Sequence, residues 1–390
     1  MNLRFLILST DYPEFLGWLY AQHPGLDKQP YDEQMQVRYD SLFGDADFYS
    51  RNLRLLGHEA FDVYANNEFM QRAWAREHGV RLKGLLPMAE GTIQRARRRA
   101  SRSPLRHLKA FLRPALSSMQ AWFYDILTAQ IKHFEPDILL NQAMHVISGS
   151  FLKEVRPHVR LLIGQNAATP LPDSLDLGCY DVAISSFPPT VQWFQAKGVN
   201  ADFLRLGFEP KVLDYLKPGG NHFDVTFVGG FHRLHSARVT LLENLSSRFD
   251  QLRIWGPGVN HMPSTSPIRR HYAGQAWGRE MYQALQDSKI TLNHHGDVGP
   301  YANNLRLFEA TGVGTLLITD WKINLHEMFE VGKEVVAYRS PEECAELIEY
   351  YLEHEEERKR IARAGQQRTL REHTYSRRMR ELVEIISRYQ

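Results

Sequence analysis

The chain has 390 residues and a formal net charge of +2, with 43% hydrophobic and 24% charged residues. These proportions are typical of a soluble globular protein and exclude a mostly disordered chain, which would combine few apolar residues with a large net charge. At about 150 residues per domain, the length predicts two domains, each large enough to bury a core without disulfides.

The first half of the chain is predicted to alternate short strands with helices. Apolar, β-prone runs predict strands at residues 3–9, 60–64, 138–141, 159–164, 182–185 and 203–206. The interval 68–130 is long, polar and largely helical in pattern, and it therefore predicts an insertion. We place the N-terminal α/β domain at residues 1–208.

A basic stretch lies within this insertion, at residues 95–113. It contains eight Lys and Arg and no acidic residue, and Leu105, Leu108 and Phe111 give its second part an apolar stripe. A basic amphipathic segment of this kind is suited to an anionic membrane surface, and the alternative is a helix whose basic face is simply solvated. Nucleic-acid binding is not predicted, because the overall charge is nearly neutral and no recognition motif is present.

A turn-rich linker and a second α/β domain are predicted to follow. The linker, residues 209–222, contains Pro210, Pro218 and Gly219. Short strands that alternate with helices indicate a parallel sheet covered on both faces, in a domain that we place at residues 223–375. A C-terminal helix is expected at residues 376–390. The predicted strands are residues 224–228, 252–255, 289–293, 315–319 and 334–338, and the predicted helices include 238–249, 278–287, 303–311 and 325–329.

Two such domains that face each other leave a cleft at the carboxyl ends of their sheets, where ligands bind in folds of this kind. Asp11, His145 and Asn166 follow predicted strands of the first domain and are expected to face this cleft. Each is suited to orient or deprotonate an acceptor hydroxyl. Each is equally suited to cap a helix or stabilise a loop.

In the second domain, Gly229 and Gly230 end a predicted strand and precede a helix. Glycines there let backbone N–H groups approach a phosphate, and the helix N-terminus adds partial positive charge. Arg233 and Arg238 would add full charges and a planar fork for phosphate oxygens. The alternative is a glycine turn with two solvated arginines. The spacing is neither G-x-G-x-x-G nor a P-loop, so no dinucleotide or ATP site is predicted.

A second motif, residues 292–312, leads from a strand through a glycine-rich loop into a helix. On that helix Asn303, Arg306 and Glu309 are spaced three apart and are expected on one face. This pattern suits a nucleotide diphosphate on the loop, with Glu309 accepting hydrogen bonds from ribose hydroxyls. The alternative is a helix capped by Asn303 with a surface Arg306–Glu309 pair. The candidate binding residues of this motif are Asn293, His295, Asn303, Asn304, Arg306 and Glu309.

No metal site is predicted from the sequence. His294 and His295 are adjacent, and neighbours on an extended segment point to opposite sides, so they form a poor joint pair of ligands. Neither CxxC nor HExxH spacing nor a carboxylate-rich triad accompanies them. One of the two is expected to face a sugar or a phosphate instead.

The second half of the chain resembles a known family over roughly residues 223–380. The segments that carry the resemblance are residues 224–229 (D-x-T-F-V-G) with Arg238, residues 288–293, residues 304–310 (N-L-R-L-F-E-A), residues 317–320, residues 329–334 and residues 351–377. In this order they resemble the CgeB/spore-protein glycosyltransferase-like family, within the two-domain GT-B glycosyltransferases. The resemblance implies an α/β fold of two Rossmann-like domains whose parallel sheets face each other across an interdomain cleft.

By this resemblance, the second domain binds a nucleotide-sugar donor. Glu309 would hold the ribose and Arg233 or Arg238 the diphosphate, with loop residues 295–304 near the phosphates or the sugar. Enzymes of this fold generally stabilise the leaving diphosphate with side chains and a helix dipole. The resemblance therefore implies no metal and no cofactor, since the nucleotide sugar is a substrate, and it implies a C-terminal helix that crosses back onto the first domain.

Two positions depart from the pattern of many retaining relatives. Those relatives carry a glutamate eight residues before the ribose-binding one, where this chain has Tyr301. Many also carry a histidine in the first-domain loop that Gln165 and Asn166 occupy here. The sequence therefore leaves open the stereochemical outcome and the catalytic base. Arg233, Arg238 and Arg306 are expected to stabilise the departing diphosphate.

The predicted function is a glycosyltransferase whose acceptor is a hydroxyl of a glycan, a lipid-linked sugar or a natural product. The alternatives are a nucleotide-sugar or glycan-binding protein without catalysis, which the departure at Tyr301 favours, and a nucleotide-sugar 2-epimerase. With only Cys179 and Cys344, a reducing compartment is expected, and the apolar run at residues 5–8 is too short for a signal sequence. A cytoplasmic location is therefore predicted, with peripheral contact at the inner face of the membrane through residues 95–113 as a further option.

Overall fold

The computed structural model describes residues 2–82, 113–167, 171–220, 222–231 and 235–390. Almost all of the basic stretch predicted to contact a membrane lies outside these residues, as does Arg233. Within the described ranges, no helix is both long enough and apolar enough to span a membrane.

The first sheet has six parallel strands in the order β2-β1-β3-β4-β5-β6. Its strands are β1 (Arg4–Ser9), β2 (Glu59–Tyr64), β3 (Ile138–Asn141), β4 (Leu161–Gln165), β5 (Val182–Ser185) and β6 (Ala201–Phe203). Phe5 and Ile7 belong to one hydrophobic cluster and Leu6 and Leu8 to another, so β1 is buried on both faces. A strand buried on both faces reads as a continuous apolar run, which explains why its position was predictable.

The second sheet has five parallel strands in the order β11-β10-β9-β7-β8. Its strands are β7 (Phe223–Val228), β8 (Leu252–Trp255), β9 (Ser288–Asn293), β10 (Leu316–Asp320) and β11 (Val336–Tyr338). Leu316 and Ile318 pack in one hydrophobic cluster and Leu317 in another, so β10 is also covered on both faces.

Helices connect the strands of both sheets. In the first half these are α1 (Pro13–Gln22), α2 (Tyr31–Asp40), α3 (Phe48–Leu55), α4 (Glu68–Glu77), α5 (Arg113–Phe134), α6 (Gly149–Val155) and α7 (Pro188–Ala196). In the second half they are α8 (Ser236–Arg248), α9 (Ile268–His271), α10 (Arg279–Gln286), α11 (Arg306–Val313), α12 (Pro341–Glu353), α13 (Glu355–Glu372) and α14 (Tyr375–Ser387). Short 3-10 helices occur at Leu26–Lys28, Arg156–His158, Pro210–Tyr215, Val259–His261 and Leu325–Glu327.

Several predicted elements differ from the observed ones; the strands predicted at residues 159–164 and 334–338, for example, begin two residues later, at Leu161 and Val336. The sixth strand begins earlier than predicted, at Ala201, because helix α7 ends at Ala196 and Gly198 reverses the chain with a φ of +79°. The helix predicted at residues 303–311 starts only at Arg306, since the Asn304 side chain bonds to Asn293 on β9 and accepts from the N–H of Leu307. The segment predicted as a helix at residues 325–329 is a single 3-10 turn.

The chain crosses between the two halves twice, and the two crossings lie side by side. The backbone N–H of Phe208 donates to the carbonyl of His373 at 2.7 Å, and the N–H of Tyr375 donates to the carbonyl of Phe208 at 3.0 Å. Helix α14 then packs on α3 of the first half, where the Tyr375 ring lies 5.3 Å from that of Phe48. The Tyr375 hydroxyl donates to Asp45 at 2.6 Å. The C-terminal helix therefore joins the two halves.

Loops at the carboxyl ends of the two sheets also meet. Phe187 follows β5 and Tyr301 follows β9, and their ring centroids are 5.9 Å apart. Nearby in the second half, Trp277 packs edge-on against Phe15 and Phe43 of the first half, at 6.0 and 5.0 Å. The carboxyl edges of the sheets therefore face each other across a cleft.

Candidate functional site

The candidate site lies where the strand order of the second sheet reverses. From β7 the chain continues to β8 on one side, and from β9 it continues to β10 on the other. The adjacent carboxyl ends of β7 and β9 form the crevice in which open parallel sheets bind ligands. The loops that leave these two strands contain both motifs that the sequence singled out.

Arg238, in the first turns of α8, joins these two loops. Its Nη1 donates to the carbonyl of Gly230 at 2.7 Å and its Nη2 to the carbonyl of His294 at 2.6 Å. The guanidinium carbon lies 5.4 Å from the centroid of the Phe227 ring. The planar fork predicted to hold phosphate oxygens is therefore largely occupied by backbone carbonyls, and Arg238 fixes the distance between the loops.

The charge of Arg238 is buried and has no direct counterion in the described part of the chain. The residue is 8% exposed, and no described carboxylate lies within 4.0 Å of it. Burial lowers the pKa of Arg238 to about 10, Asp320 opposing and Arg306 reinforcing that shift. The side chain remains protonated at neutral pH, so Arg238 places in the crevice a positive charge without a direct counterion, which favours an anionic ligand beside it.

Two glycines that sequence reasoning missed hold the β7 loop in place. The N–H of Gly229 donates to the carbonyl of Trp255 at 2.9 Å, so it is not free for a phosphate. Gly256, with a φ of +145°, would place a Cβ 2.0 Å from the Gly229 carbonyl oxygen, and Gly258 one 2.4 Å from that of Phe231. Only glycine permits this backbone contact. The G-P-G run directly after β8 was the available signal.

The N-terminus of α8 is already capped by a carboxylate, another feature the sequence did not indicate. Asp297, in the loop after β9, accepts from the Ser236 hydroxyl at 2.7 Å and from the N–H of Ala237 at 3.3 Å. Burial alone would raise the pKa of Asp297, but these hydrogen bonds outweigh it and lower the pKa. A ligand anion is therefore expected beside the β7 and β9 ends rather than on this helix.

His295 and Asp320 form a buried pair between β9 and β10. The backbone N–H of His295 donates to Asp320 Oδ1 at 3.0 Å, and the ring Nδ1 lies 2.6 Å from the same oxygen. Lys322 Nζ lies 3.3 Å from Asp320 Oδ2. His294 Nδ1 lies 2.9 Å from the Tyr338 hydroxyl and 4.0 Å from Asp320 Oδ2. The nearest partners of the two histidines differ, but both rings lie beside Asp320, so they do not point fully apart as neighbours on an extended segment are expected to.

Asparagine side chains connect β9 to the start of α11. Asn304 Nδ2 donates to Asn293 Oδ1 at 2.8 Å, and Asn293 Nδ2 donates to the Thr319 hydroxyl at 2.9 Å. Asn304 Oδ1 accepts from the N–H of Leu307 at 3.4 Å. Asn293 and Asn304 thus fix the shape of the loop, and Asn303 lies in that loop rather than on the helix face predicted for it.

Arg306 and Glu309 form a pair on α11 that faces the interior rather than the surface. Arg306 Nη1 lies 2.7 Å from Glu309 Oε2, and Glu309 is 6% exposed. The Tyr282 hydroxyl lies 3.5 Å from Glu309 Oε1. Burial raises the pKa of Glu309, while the Arg306 guanidinium opposes that rise. A carboxylate has further lone pairs, so Glu309 retains capacity to accept hydrogen bonds from hydroxyls.

The site contains buried polar atoms that have no hydrogen-bond partner in the part of the chain that the structure describes. Such atoms are rare in folded proteins and destabilise them unless a ligand or water completes their bonding. They belong to four predicted site residues that follow β7 or β9, namely Arg238 Nε, His295 Nε2, Asn303 Nδ2 and Arg306 Nε. All of these nitrogens except that of an unprotonated histidine are donors, which suits a ligand rich in acceptor oxygens.

Of the three residues predicted for the first domain, Asp11 has a structural partner. Arg38 donates to it from Nε at 2.9 Å and from Nη2 at 2.6 Å, and both side chains are 2% exposed. The Arg38 guanidinium carbon lies 4.2 Å from the centroid of the Tyr64 ring and 4.8 Å from that of Phe15. This geometry fits the alternative to a role in acceptor binding, namely that Asp11 stabilises the loop after β1.

His145 and Asn166 lie at the carboxyl ends of β3 and β4. His145 is exposed on the loop after β3, whereas Asn166 is buried and its Nδ2 contacts the carbonyl of Ala167 at 3.4 Å. Beside them, Gln142 Nε2 donates to Gln165 Oε1 at 3.2 Å. His145 is therefore the one of the three predicted residues that presents a titratable group to solvent.

Across the described ranges, no group of three or more His, Cys, Asp and Glu side chains is arranged to bind a metal ion. The site instead combines cations, amides and histidines with the carboxylates of Asp297, Glu309 and Asp320.

Comparisons with known proteins agree with this architecture. Residues 238–384 match the family model described as "Glycosyl transferase-like". No curated protein matches the chain by sequence. The match covers the part of the chain that contains Arg238, the β9 loop and α11.

Solved structures with the same architecture cover the whole chain. A glycosyltransferase from Rickettsia africae ESF-5 is 10% identical with a TM-score of 0.56, covering 100% of this chain and 98% of that one. Anabaena Alr3699/HepE, solved with UDP-glucose, is 11% identical with a TM-score of 0.58, covering 99% and 100%. A sucrose-phosphate synthase from Thermosynechococcus elongatus is 10% identical with a TM-score of 0.55, covering 99% of each chain. The predicted GT-B fold is therefore confirmed.

Proposed function

We propose that this protein is a glycosyltransferase that moves a sugar from a nucleotide-sugar donor to a hydroxyl group of an acceptor. The observation that carries the proposal is the group of buried, unpartnered nitrogens of Arg238, His295, Asn303 and Arg306 at the β7 and β9 ends. The family match over residues 238–384 and the fold shared with a protein that binds UDP-glucose support the same conclusion.

In this proposal the donor diphosphate lies between the loops after β7 and β9. The uncompensated charge of Arg238 attracts it, and Asn303 and Arg306 donate to its oxygens. Glu309 lies on the same helix as Arg306 and accepts hydrogen bonds from the ribose hydroxyls. Arg233 is proposed to contact the diphosphate as well.

During transfer, the bond between the sugar C1 and the donor phosphate oxygen breaks, and a bond from C1 to the acceptor oxygen forms. The leaving diphosphate gains negative charge, which preorganised cations stabilise most in the transition state. Arg238 and Arg306 are proposed for this role, with no metal ion. The acceptor proton passes to a base in the first domain, for which exposed His145 is proposed. Asn166 is proposed to orient the acceptor.

A thermal-shift panel tests the donor site. UDP, GDP, CDP, ADP and dTDP and their sugars are added with and without EDTA. A ligand at 100 times its Kd stabilises the folded state by about 2.7 kcal/mol. We expect one nucleotide class to raise the Tm and EDTA to leave that rise unchanged. If no nucleotide raises the Tm, the donor site and the transferase proposal are both wrong.

A binding protein without catalysis is the second candidate, and one observation favours it. Tyr301 occupies the position at which many retaining relatives carry a glutamate, and its ring packs against Phe187 across the cleft. This candidate predicts that a nucleotide sugar raises the Tm but is neither hydrolysed nor transferred. Release of free nucleotide diphosphate in the presence of glycan or lipid-linked acceptors would exclude it.

The acceptor is proposed to be a glycan or a lipid-linked sugar that the protein reaches by peripheral contact with an anionic membrane through residues 95–113. Sedimentation with vesicles of phosphatidylglycerol and phosphatidylcholine tests this contact. We expect binding at low salt that is lost when Arg97, Arg98 and Arg99 are replaced by Gln. Absence of sedimentation at low salt would contradict it.

A further inference from the structure

A buried histidine at the end of β9 has one ring nitrogen bonded and the other without a partner. His295 is 2% exposed, and its Nδ1 lies 2.6 Å from Asp320 Oδ1. Its Nε2 is buried and has no hydrogen-bond partner among the described residues. Because a buried polar atom of this kind is destabilising, it marks a place that a ligand completes.

Asp320 determines the state of the bonded nitrogen. It accepts from the His295 backbone at 3.0 Å and from the Thr319 hydroxyl at 3.3 Å, and Lys322 lies 3.3 Å from its other oxygen. Burial alone would raise the pKa of Asp320, but the bond and charge of His295 and the charges of His294 and Lys322 hold it well below its usual range. An ionised carboxylate only accepts, so Nδ1 carries a hydrogen and any further proton goes to Nε2.

Charges of both signs surround the ring. Arg238 and Lys322 are positive, His294 is adjacent, Asp320 is the carboxylate in contact with the ring, and Asp297 is a second carboxylate two residues further along the loop. On α11, Arg306 is already paired with Glu309, and the Tyr338 hydroxyl on β11 is neutral and bonded to Asn293 and His294. A bound dianion would add negative charge beside the ring and supply an acceptor for Nε2.

We propose that His295 takes up one proton from solvent when a nucleotide sugar binds and donates its Nε2–H to a diphosphate oxygen, with Asp320 as the residue that positions the ring. This inference rests on the proposed donor site. The imidazolium would then face the additional negative charge that develops on the leaving diphosphate, so the same proton would stabilise the transition state.

Isothermal titration calorimetry of the full chain measures this proton directly. UDP-glucose, followed by GDP-mannose and dTDP-glucose, is titrated at pH 8 in buffers with different ionisation enthalpies. Pyrophosphate diesters carry no phosphate group that titrates near neutral pH, so any linked proton belongs to the protein. His has an ordinary pKa of about 6.5. We expect uptake approaching one proton per ligand and an affinity that falls up to tenfold per pH unit above neutrality.

Three variants test which residue takes up the proton. His295→Gln keeps a hydrogen-bonding side chain that does not titrate, so we expect it to bind more weakly and without proton uptake. The matched control His294→Gln should retain the uptake. Asp320→Asn removes the charge behind the ring, so the loss of affinity should begin at a lower pH than in the wild type.

The outcomes separate this inference from the proposed function. If the wild-type protein binds a nucleotide sugar without taking up a proton, the inference is wrong and the donor site stands. It is equally wrong if His295→Gln keeps the uptake, or if His294→Gln abolishes it. If none of the nucleotide sugars binds, the proposed function fails, and this inference fails with it. The wild-type measurement by itself tests for proton uptake, so the inference can be rejected even where a variant does not fold.

Discussion

At the scale of single residues, the decisive property is which partners a side chain already has. The sequence predicted a ligand contact for each of Arg238, Asp11 and Glu309, respectively with the diphosphate, the acceptor and the ribose. In the structure, Arg238 is bonded to two carbonyls, Asp11 to one guanidinium, and Glu309 to a neighbour on its own helix. The remaining hydrogen-bonding capacity therefore differs strongly among them.

Asp11→Asn tests whether Asp11 stabilises the fold. Removing one member of a buried ion pair leaves the other charge uncompensated and destabilises a protein by about 3 kcal/mol or more. We expect a loss of this size in the free energy of unfolding measured with urea. Asp173→Asn is the matched control, since that exposed carboxylate lies 3.1 Å from Lys197 and should change stability by less than about 1 kcal/mol. Equal stabilities for the two variants would contradict the structural role.

Glu309→Gln tests the proposed ribose contact. The substitution keeps the shape of the side chain but replaces a charged acceptor by an amide, and hydrogen bonds to charged groups contribute about 1.5–3 kcal/mol. We therefore expect the Kd for the nucleotide that raises the Tm to increase by about tenfold or more, measured by calorimetry. The exposed Glu346→Gln on α12 should bind as the wild type does. An unchanged Kd for Glu309→Gln would remove this residue from the site.

At the scale of elements, loops and helix ends bring the two sheets together. Helix α11 starts three residues later than its pattern predicts, because Asn304 bonds to Asn293 on β9. In the same domain, the N–H of Arg279 donates to the Ser41 carbonyl at 2.8 Å, at the point where α10 begins against the first half. Contacts between residues distant in sequence thus determine where these helices begin, which local helix propensity alone does not.

Gly278→Ala tests this contact between the halves. Gly278 has a φ of +49°, and a Cβ there would lie 1.9 Å from the Ser41 carbonyl oxygen. Gly274 has a φ of +105° with nothing within 4 Å, so Gly274→Ala carries the backbone strain without the clash. That strain alone is about 1 kcal/mol. We expect Gly278→Ala to lower the free energy of unfolding by at least about 1 kcal/mol more than Gly274→Ala does, and to shift the fluorescence of Trp277. Equal effects would show that the contact contributes nothing.

At the scale of the whole molecule, one hydrophobic cluster runs through both halves. It includes Phe5 and Ile7 of the first sheet together with Phe308, Leu317 and Tyr375 of the second half. Phe208, which pairs with His373 where the chain crosses between the halves, belongs to this cluster, and its ring lies so close to Gly312 that a Cβ there would be 2.5 Å away. We therefore expect the two halves to unfold together.

His373, at the paired crossings between the two halves, makes the stability of the protein sensitive to acid. Its Nε2 lies 3.0 Å from the Met328 carbonyl, and burial lowers its pKa to about 4, against an ordinary value near 6.5. Because the unfolded chain binds a proton that the folded chain rejects, stability is full above pH 6.5 and falls between pH 6.5 and 4. The loss attributable to this group is about 3 kcal/mol.

His373→Gln tests this acid sensitivity, because Gln donates to the same carbonyl without titrating. We expect the free energy of unfolding of the variant to fall less than that of the wild type between pH 6.5 and 4. The exposed His326→Gln in the adjacent turn should follow the wild-type profile. Parallel profiles for wild type and His373→Gln would exclude His373 as the source.

The sequence by itself determined the two parallel sheets and the place of the candidate site. Strands such as β1 and β9 are buried on both faces and therefore appear as apolar runs, and the polar residues that follow them must lie at the carboxyl edge. The positions of Asn293, His295, Arg306 and Glu309 followed from this rule. The GT-B arrangement was implied by the family resemblance that these motifs carry.

Only the tertiary structure decided what each of these residues is free to do. Asp11 pairs with Arg38, Asp297 caps α8, and Asp320 holds His295, and each partner lies 25 or more residues away along the chain. No local pattern encodes such contacts, because they arise when elements distant in sequence pack together. Burial then determines which of the remaining nitrogens stay without a partner, and those nitrogens define the site.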